Sequence, residues 1–162
     1  MNDPSVRSSG DIEGLIGKYG DMLYRLCVLM LKNESDAEDA VQETVIKYYW
    51  KAPAFEDGEH EKAWLIRVAT NQCRDLLRFR SRHPVIDAES IPQAIWVPPD
   101  SGILEALMSV PEKYRLVLAL YYIEDRPVAE IAKTIGRTSS AVKMRLQKGR
   151  RILEKIYREE YM

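Results

Sequence analysis

Apolar residues recur at helical spacing along most of the chain. Ile12, Leu15, Ile16, Tyr19, Leu23, Leu26, Cys27 and Met30 fall three and four residues apart and predict one apolar stripe on a helix of about five turns. Asn33 and Glu34 interrupt it. Ser35 with Glu38 then reads as a capping box, with Asp36, Glu38 and Asp39 favourably placed near the positive end of the helix dipole. A second helix is expected from about Asp36 to Lys51, with Ala37, Ala40, Val41, Val45, Tyr48 and Tyr49 inward and Pro53 and Gly58 in the loop beyond it. A third, from about Glu61 to Arg80, turns Trp64, Leu65, Val68, Ala69, Leu76 and Leu77 to the core. No segment alternates with period two.

Ser109 with Glu112 suggests another cap, and Pro111 is tolerated in a first turn; Val110, Tyr114, Val117, Leu118 and Tyr121 would then face a second core. From Pro127 to Leu146 the pattern is that of a helix-turn-helix. Ile131, Ala132 and Ile135 point inward, Gly136 supplies a positive-φ turn, Thr138 caps the next helix, and Val142 and Leu146 hold that helix on the core. Ser140, Lys143, Met144, Gln147 and Lys148 are left outward on its N-terminal half, the part of a recognition helix that meets base edges.

Proline divides these two sets of helices. Residues 83–101 hold Pro84, Pro92, Pro98 and Pro99 and no Lys or Arg, a composition that cannot propagate a helix or a central strand. The expected architecture is all-α: a helical domain over 10–82, a flexible Pro-rich linker over 83–101, and a helix-turn-helix domain over 102–160. The 162 residues suffice for two small cores. The longest uncharged apolar run, Leu116 to Ile123, is far short of the ~20 residues of a membrane span. Asp3, Asp11 and Glu13, with no apolar stretch among them, do not suit a secretory signal, and two cysteines suit a reducing, cytoplasmic setting.

A net charge of −1 conceals segregation. Glu34 to Glu43 is acidic without a basic residue, whereas Lys62 to Arg82 and Lys133 to Arg158 are strongly basic. Arg67, Asn71, Arg74, Arg78 and Arg82 recur at spacings of four and three and share one side of the third helix. A row of guanidinium groups with one amide among them can follow a phosphate backbone and offer a hydrogen bond to a base. The spacing alone fits a solvated basic face equally well. Arg150, Arg151, Lys155 and Arg158 extend the positive potential of the last helix.

Three segments in order, Ser35-Asp-Ala-Glu-Asp-Ala-Val-Gln-Glu-Thr44, Lys62-Ala-Trp-Leu-Ile-Arg-Val-Ala-Thr-Asn-Gln-Cys-Arg-Asp-Leu-Leu77 and the helix-turn-helix over Val128–Arg151, resemble the extracytoplasmic-function sigma factors. The resemblance covers about Leu15 to Ile156. It implies a sigma-2 and a sigma-4 domain, joined by a linker that threads the RNA exit path of RNA polymerase. Asp39, Gln42 and Glu43, with Asp36 nearby, would bind the core enzyme. Phe55 in the loop after the second helix, with Arg67, Asn71, Arg74 and Arg78, would recognise and melt the promoter −10 element. Ser140, Lys143, Met144, Arg145, Gln147 and Lys148 would contact the −35 element. An anti-sigma factor is an implied partner; a cofactor, a small-molecule substrate and membrane insertion are not. The loop over Phe55–Glu61 is unusually acidic for a surface that faces DNA, and Met144 stands where the family often has a small polar residue.

Two other readings bear on the same residues. A free-standing helix-turn-helix regulator would bind duplex DNA without polymerase, but it leaves the acidic helix and the Trp64–Leu77 motif unexplained. An enzyme is disfavoured by the presence of only His60 and His83 and by the lack of a zinc-protease, P-loop or nucleophile-elbow motif.

Overall fold

The computed structural model describes residues 8–82 and 102–161, which fall into two compact units. The proposed linker, 83–101, lies outside the described residues. Those that are described form helices and no strand.

The first unit is built from α1 (Ser9–Leu31), α2 (Glu34–Lys51) and α3 (Gly58–Arg82), each packed against the other two. Ser8 and Asp11 form a reciprocal capping box on α1, and Lys32, with φ 57°, ends it. Leu23, Leu26, Leu29 and Met30 of α1, Ala37 and Ala40 of α2 and Leu65, Ile66 and Ala69 of α3 are all buried in this three-helix core. Small residues on α2 let the helices approach closely, while the long aliphatic chains fill the space between them.

Several local expectations need correction. The cap of α2 is Asn33, whose side chain accepts from the Asp36 backbone N–H at 2.9 Å, so the Ser35–Glu38 box is not used. Helix α3 starts at Gly58, three residues before the expected Glu61, with Asp57 Oδ1 accepting from the His60 N–H at 2.8 Å. Its buried face is Leu65, Ile66, Ala69, Thr70 and Cys73, rotated from the expected one; Trp64, Val68, Leu76 and Leu77 are half-buried at its margin. Cys73 is fully buried in the core.

The second unit comprises α4 (Ile103–Ser109), α5 (Glu112–Leu118), a π-helical turn over Ala119–Ile123 that continues α5, α6 (Val128–Ile135) and α7 (Ser139–Tyr161). Ser109 ends α4, donating its hydroxyl to the Glu105 carbonyl at 3.1 Å, so it forms no cap with Glu112. Arg115 is buried and closes the α4–α5 junction by donating to the Val110 carbonyl at 2.7 Å. The π-helical turn carries Tyr121 outward, against its expected core position, because an extra residue per turn shifts the side chains around the axis.

Candidate nucleic-acid interface

The helix-turn-helix is set by short-range chemistry. Gly136 follows α6 with φ 69°, a left-handed conformation that costs glycine nothing. Thr138 Oγ1 then accepts from the Ala141 N–H at 3.1 Å at the start of α7. Val142 and Leu146 are buried, and Gly149 faces Leu118 so closely that a Cβ would stand 3.2 Å from that side chain. With the inner side of α7 fixed in this way, Ser140, Lys143, Met144, Gln147 and Lys148 are exposed, and Arg145 is half-buried. Met144 is 70% exposed, too open for a packing role. A groove of about 670 Å³ runs beside these residues, with Met144 and Ile152 in its wall and Arg145, Lys148, Arg151 and Lys155 along it.

In the first unit, contacts between distant parts of the sequence place the basic row. Tyr19 on α1 donates its hydroxyl to the Gly58 carbonyl at 3.3 Å, and burial raises its pKa above the usual tyrosine value. Tyr48 on α2 donates to Glu61 Oε2 at 2.8 Å. At the other end of α3, Arg80 meets Asp36 Oδ1 at 2.6 Å. Between these ties Arg67, Asn71 and Arg78 are exposed and Arg74 is half-buried; Arg82, just beyond Arg80, is exposed. Arg78 makes an exposed ion pair with Asp75 at 3.5 Å, which its high exposure makes weak.

Phe55 is half-buried within an aromatic cluster. Its ring lies 6.1 Å from Tyr48, 5.9 Å from Trp64 and 5.2 Å from His60. His60 Nδ1 also accepts from the Glu56 N–H at 3.2 Å, so the acidic loop is pinned at both the ring and the backbone.

On α2, Asp39, Gln42 and Glu43 are exposed together. Asp36 is not among them: it is buried against Arg80, and its carboxylate is engaged there. The same exposed side continues to Ile46 and Trp50, 49% and 60% exposed, which the sequence reading passed over. The spacing of Asp39, Glu43, Ile46 and Trp50 was the available signal.

Two family models match: "Sigma-70 region 2" over residues 15–83 and "Sigma-70, region 4" over residues 101–153. The ECF RNA polymerase sigma factor SigW of Bacillus subtilis is 30% identical over 164 residues, spanning 90% of this chain and 88% of SigW. The chain belongs to the ECF RNA polymerase sigma factors. SigE of Mycolicibacterium smegmatis is also 30% identical, over 86% of this chain and 58% of SigE. Among solved structures, the sigma factor RpoE in complex with the anti-sigma factor NepR from Bartonella quintana superposes with a TM-score of 0.77 at 22% identity, covering 93% of this chain and 98% of RpoE. CnrH in complex with the cytosolic domain of CnrY gives 0.69 at 22% identity, over 94% and 91% of the two chains. At that identity these two establish the fold. In this sigma factor the acidic face of α2 and the basic row of α3 lie inside the region 2 match, and the exposed half of α7 lies inside the region 4 match. Sigma factors are regulators of transcription. Among the described residues no helix is long and apolar enough to cross a membrane, and no group of His, Cys, Asp or Glu gathers in a metal-binding arrangement.

Proposed function

We propose that this sigma factor binds core RNA polymerase through Asp39, Gln42 and Glu43 and directs initiation at promoters read by its two basic helices. In this reading Asp36 supports the site through Arg80 and does not touch the polymerase. Phe55, Arg67, Asn71, Arg74 and Arg78 engage the −10 element, the loop and Asn71 catching an unstacked base and the guanidinium groups holding the backbone. Ser140, Lys143, Met144, Arg145, Gln147 and Lys148 meet the −35 element in the major groove, with Met144 suited to a thymine methyl. The protein acts in the cytoplasm as a non-catalytic specificity subunit without a cofactor, and an anti-sigma factor that covers these surfaces holds it inactive.

The observation that supports this reading best is the separation of one acidic and two basic exposed faces onto three different helices of a chain of this family. A regulator acting alone needs only the face on α7. Run-off transcription from a fragmented genomic library, with purified core polymerase, tests the reading: discrete transcripts that require the protein are expected. Duplex binding by the protein alone, with no new start sites, would replace it by the free-standing regulator. Within that assay, Asp39→Lys combined with Glu43→Lys is expected to lower core affinity about tenfold, roughly 1.4 kcal/mol, with helix content unchanged. Unchanged affinity would remove α2 from the interface.

A further inference from the structure

Two of the exposed cations on α7 occupy different surroundings. Lys143 and Lys148 are five residues apart, which places them about 140° apart around a helix. The inner side of α7 is fixed by Val142, Leu146 and Gly149, so Ser140, Met144 and Gln147 occupy the middle of the outward face and the two lysines its opposite flanks. On the flank of Lys148, α5 adds Lys113 and Tyr114. The Lys148 ammonium lies 5.4 Å from the centroid of the Tyr114 ring, and the Lys113 ammonium 5.1 Å from the same centroid. Both also act on the phenol: a hydrogen bond from Lys148, above all, and the charges of the two lysines hold its pKa below the usual value.

A cation over a tyrosine ring is attracted by the ring's quadrupole, but two cations drawn to one ring repel each other. An anion between them reverses the sign of that interaction, and a phenol beside them supplies a further hydrogen-bonding group. The groove alongside is bordered by Arg145 and Arg151, so the anion that fits is one of a repeating series and not an isolated small ion.

We propose that Lys113, Tyr114 and Lys148 form a binding site for one backbone phosphate of promoter DNA, so that Lys148 anchors a strand and does not read a base. This rests on the reading of α7 as the −35 recognition helix. The bases are then left to the middle of the face, with Gln147 as its one long hydrogen-bonding group.

The test is the salt dependence of promoter binding by the complete protein with core polymerase, on a promoter and a set of single −35 substitutions. Lys148→Ala combined with Lys113→Ala is expected to weaken binding by the same factor on every promoter and to reduce the slope of log K against log salt by about 0.9, the share of one phosphate, each single variant losing part of it. Lys148→Arg should restore the slope, and Tyr114→Phe should weaken binding uniformly with the slope retained. Gln147→Ala should instead change the ranking of the −35 variants. An unchanged slope for both lysine variants, or a changed ranking for Lys148→Ala, would overturn the proposal. If the wild-type chain directs no specific initiation, the reading of α7 fails. The phosphate site is then judged by the slope for non-specific duplex DNA binding to the free chain: loss of about 0.9 on combining Lys148→Ala with Lys113→Ala supports it, and no loss overturns it.

Discussion

Helices α3 and α7 both present cationic rows, yet they are oriented by contacts of very different range. Gly136 and Thr138 aim α7 from within a few residues of its start, through a left-handed turn and a 3.1 Å cap. Helix α3 is held instead by partners far away in the sequence, Tyr19 for Gly58, Tyr48 for Glu61 and Asp36 for Arg80. In the first case turn chemistry sets where α7 starts, and Gly149 against Leu118 then seats the helix on α5. In the second, the angle exists only once three helices have packed. The consequence is that single substitutions at the start of α7 should act locally, whereas those at the ties of α3 should loosen a whole unit.

The largest effect is expected at Asp36. Asp36→Ala removes the carboxylate that faces Arg80, whose side chain is about one-third exposed. Breaking a fully buried pair costs about 3–5 kcal/mol; the partial exposure of Arg80 lowers the expectation to about 2 kcal/mol. A urea titration followed by the signal of the first unit should show this loss, while the second unit unfolds as before. If stability is unchanged and core-polymerase affinity falls, Asp36 belongs to the contact surface and α3 is not held through it.

That contrast also explains what could be read from the sequence. The helix-turn-helix was legible to the residue, since Gly136, Thr138, Val142 and Leu146 express local rules whose spacing does not depend on the rest of the fold. The rotation of α3 was not legible. Its apolar positions, Trp64, Leu65, Ile66, Val68, Ala69, Leu76 and Leu77, span more than half of the helix, so periodicity alone permits several inward directions. Packing against α1 and α2 selected the one that buries Ile66 and Cys73. The role of Asp36 was hidden for the same reason: its partner lies 44 residues away. Asn33 won the cap of α2 over Ser35 because asparagine at the break can reach the Asp36 N–H directly, so the helix begins before the serine. The π-helical turn at Ala119–Ile123 leaves no distinctive mark in an all-apolar run, and Tyr121 was therefore assigned inward.

A smaller effect is expected where α7 is aimed. Thr138→Ala removes the side-chain cap and should cost about 1 kcal/mol, and Gly136→Ala should cost about as much again by forcing a Cβ into φ 69°. No atom lies within 4 Å of where that Cβ would be, so strain and not a clash is the source of the penalty. Both losses should appear in the second unit only, with hydrogen exchange accelerated first in the opening turn of α7. A loss of protection spread evenly over α4 to α7 would show that α7, like α3, is oriented by the packed unit and not by its turn.

The smallest effect, and one of opposite sign, is expected on α1. Gly14 and Gly17 lie within this helix, are exposed, and have nothing within 4 Å of a would-be Cβ. Glycine in a helix interior costs about 0.5–1 kcal/mol relative to alanine, because more backbone freedom is lost on folding and no side chain offsets it. The buried stripe of α1 evidently tolerates that cost, as expected of a unit whose order comes from long-range packing. Gly14→Ala and Gly17→Ala should therefore each stabilise the first unit, by at most about 1 kcal/mol. Thermal unfolding measures the gain, and transcription with core polymerase supplies the second readout. Stabilisation with unchanged transcription would mean that the glycines only weaken α1. Stabilisation accompanied by loss of transcription would show that a partner's surface approaches the bare backbone there, closer than a methyl group allows.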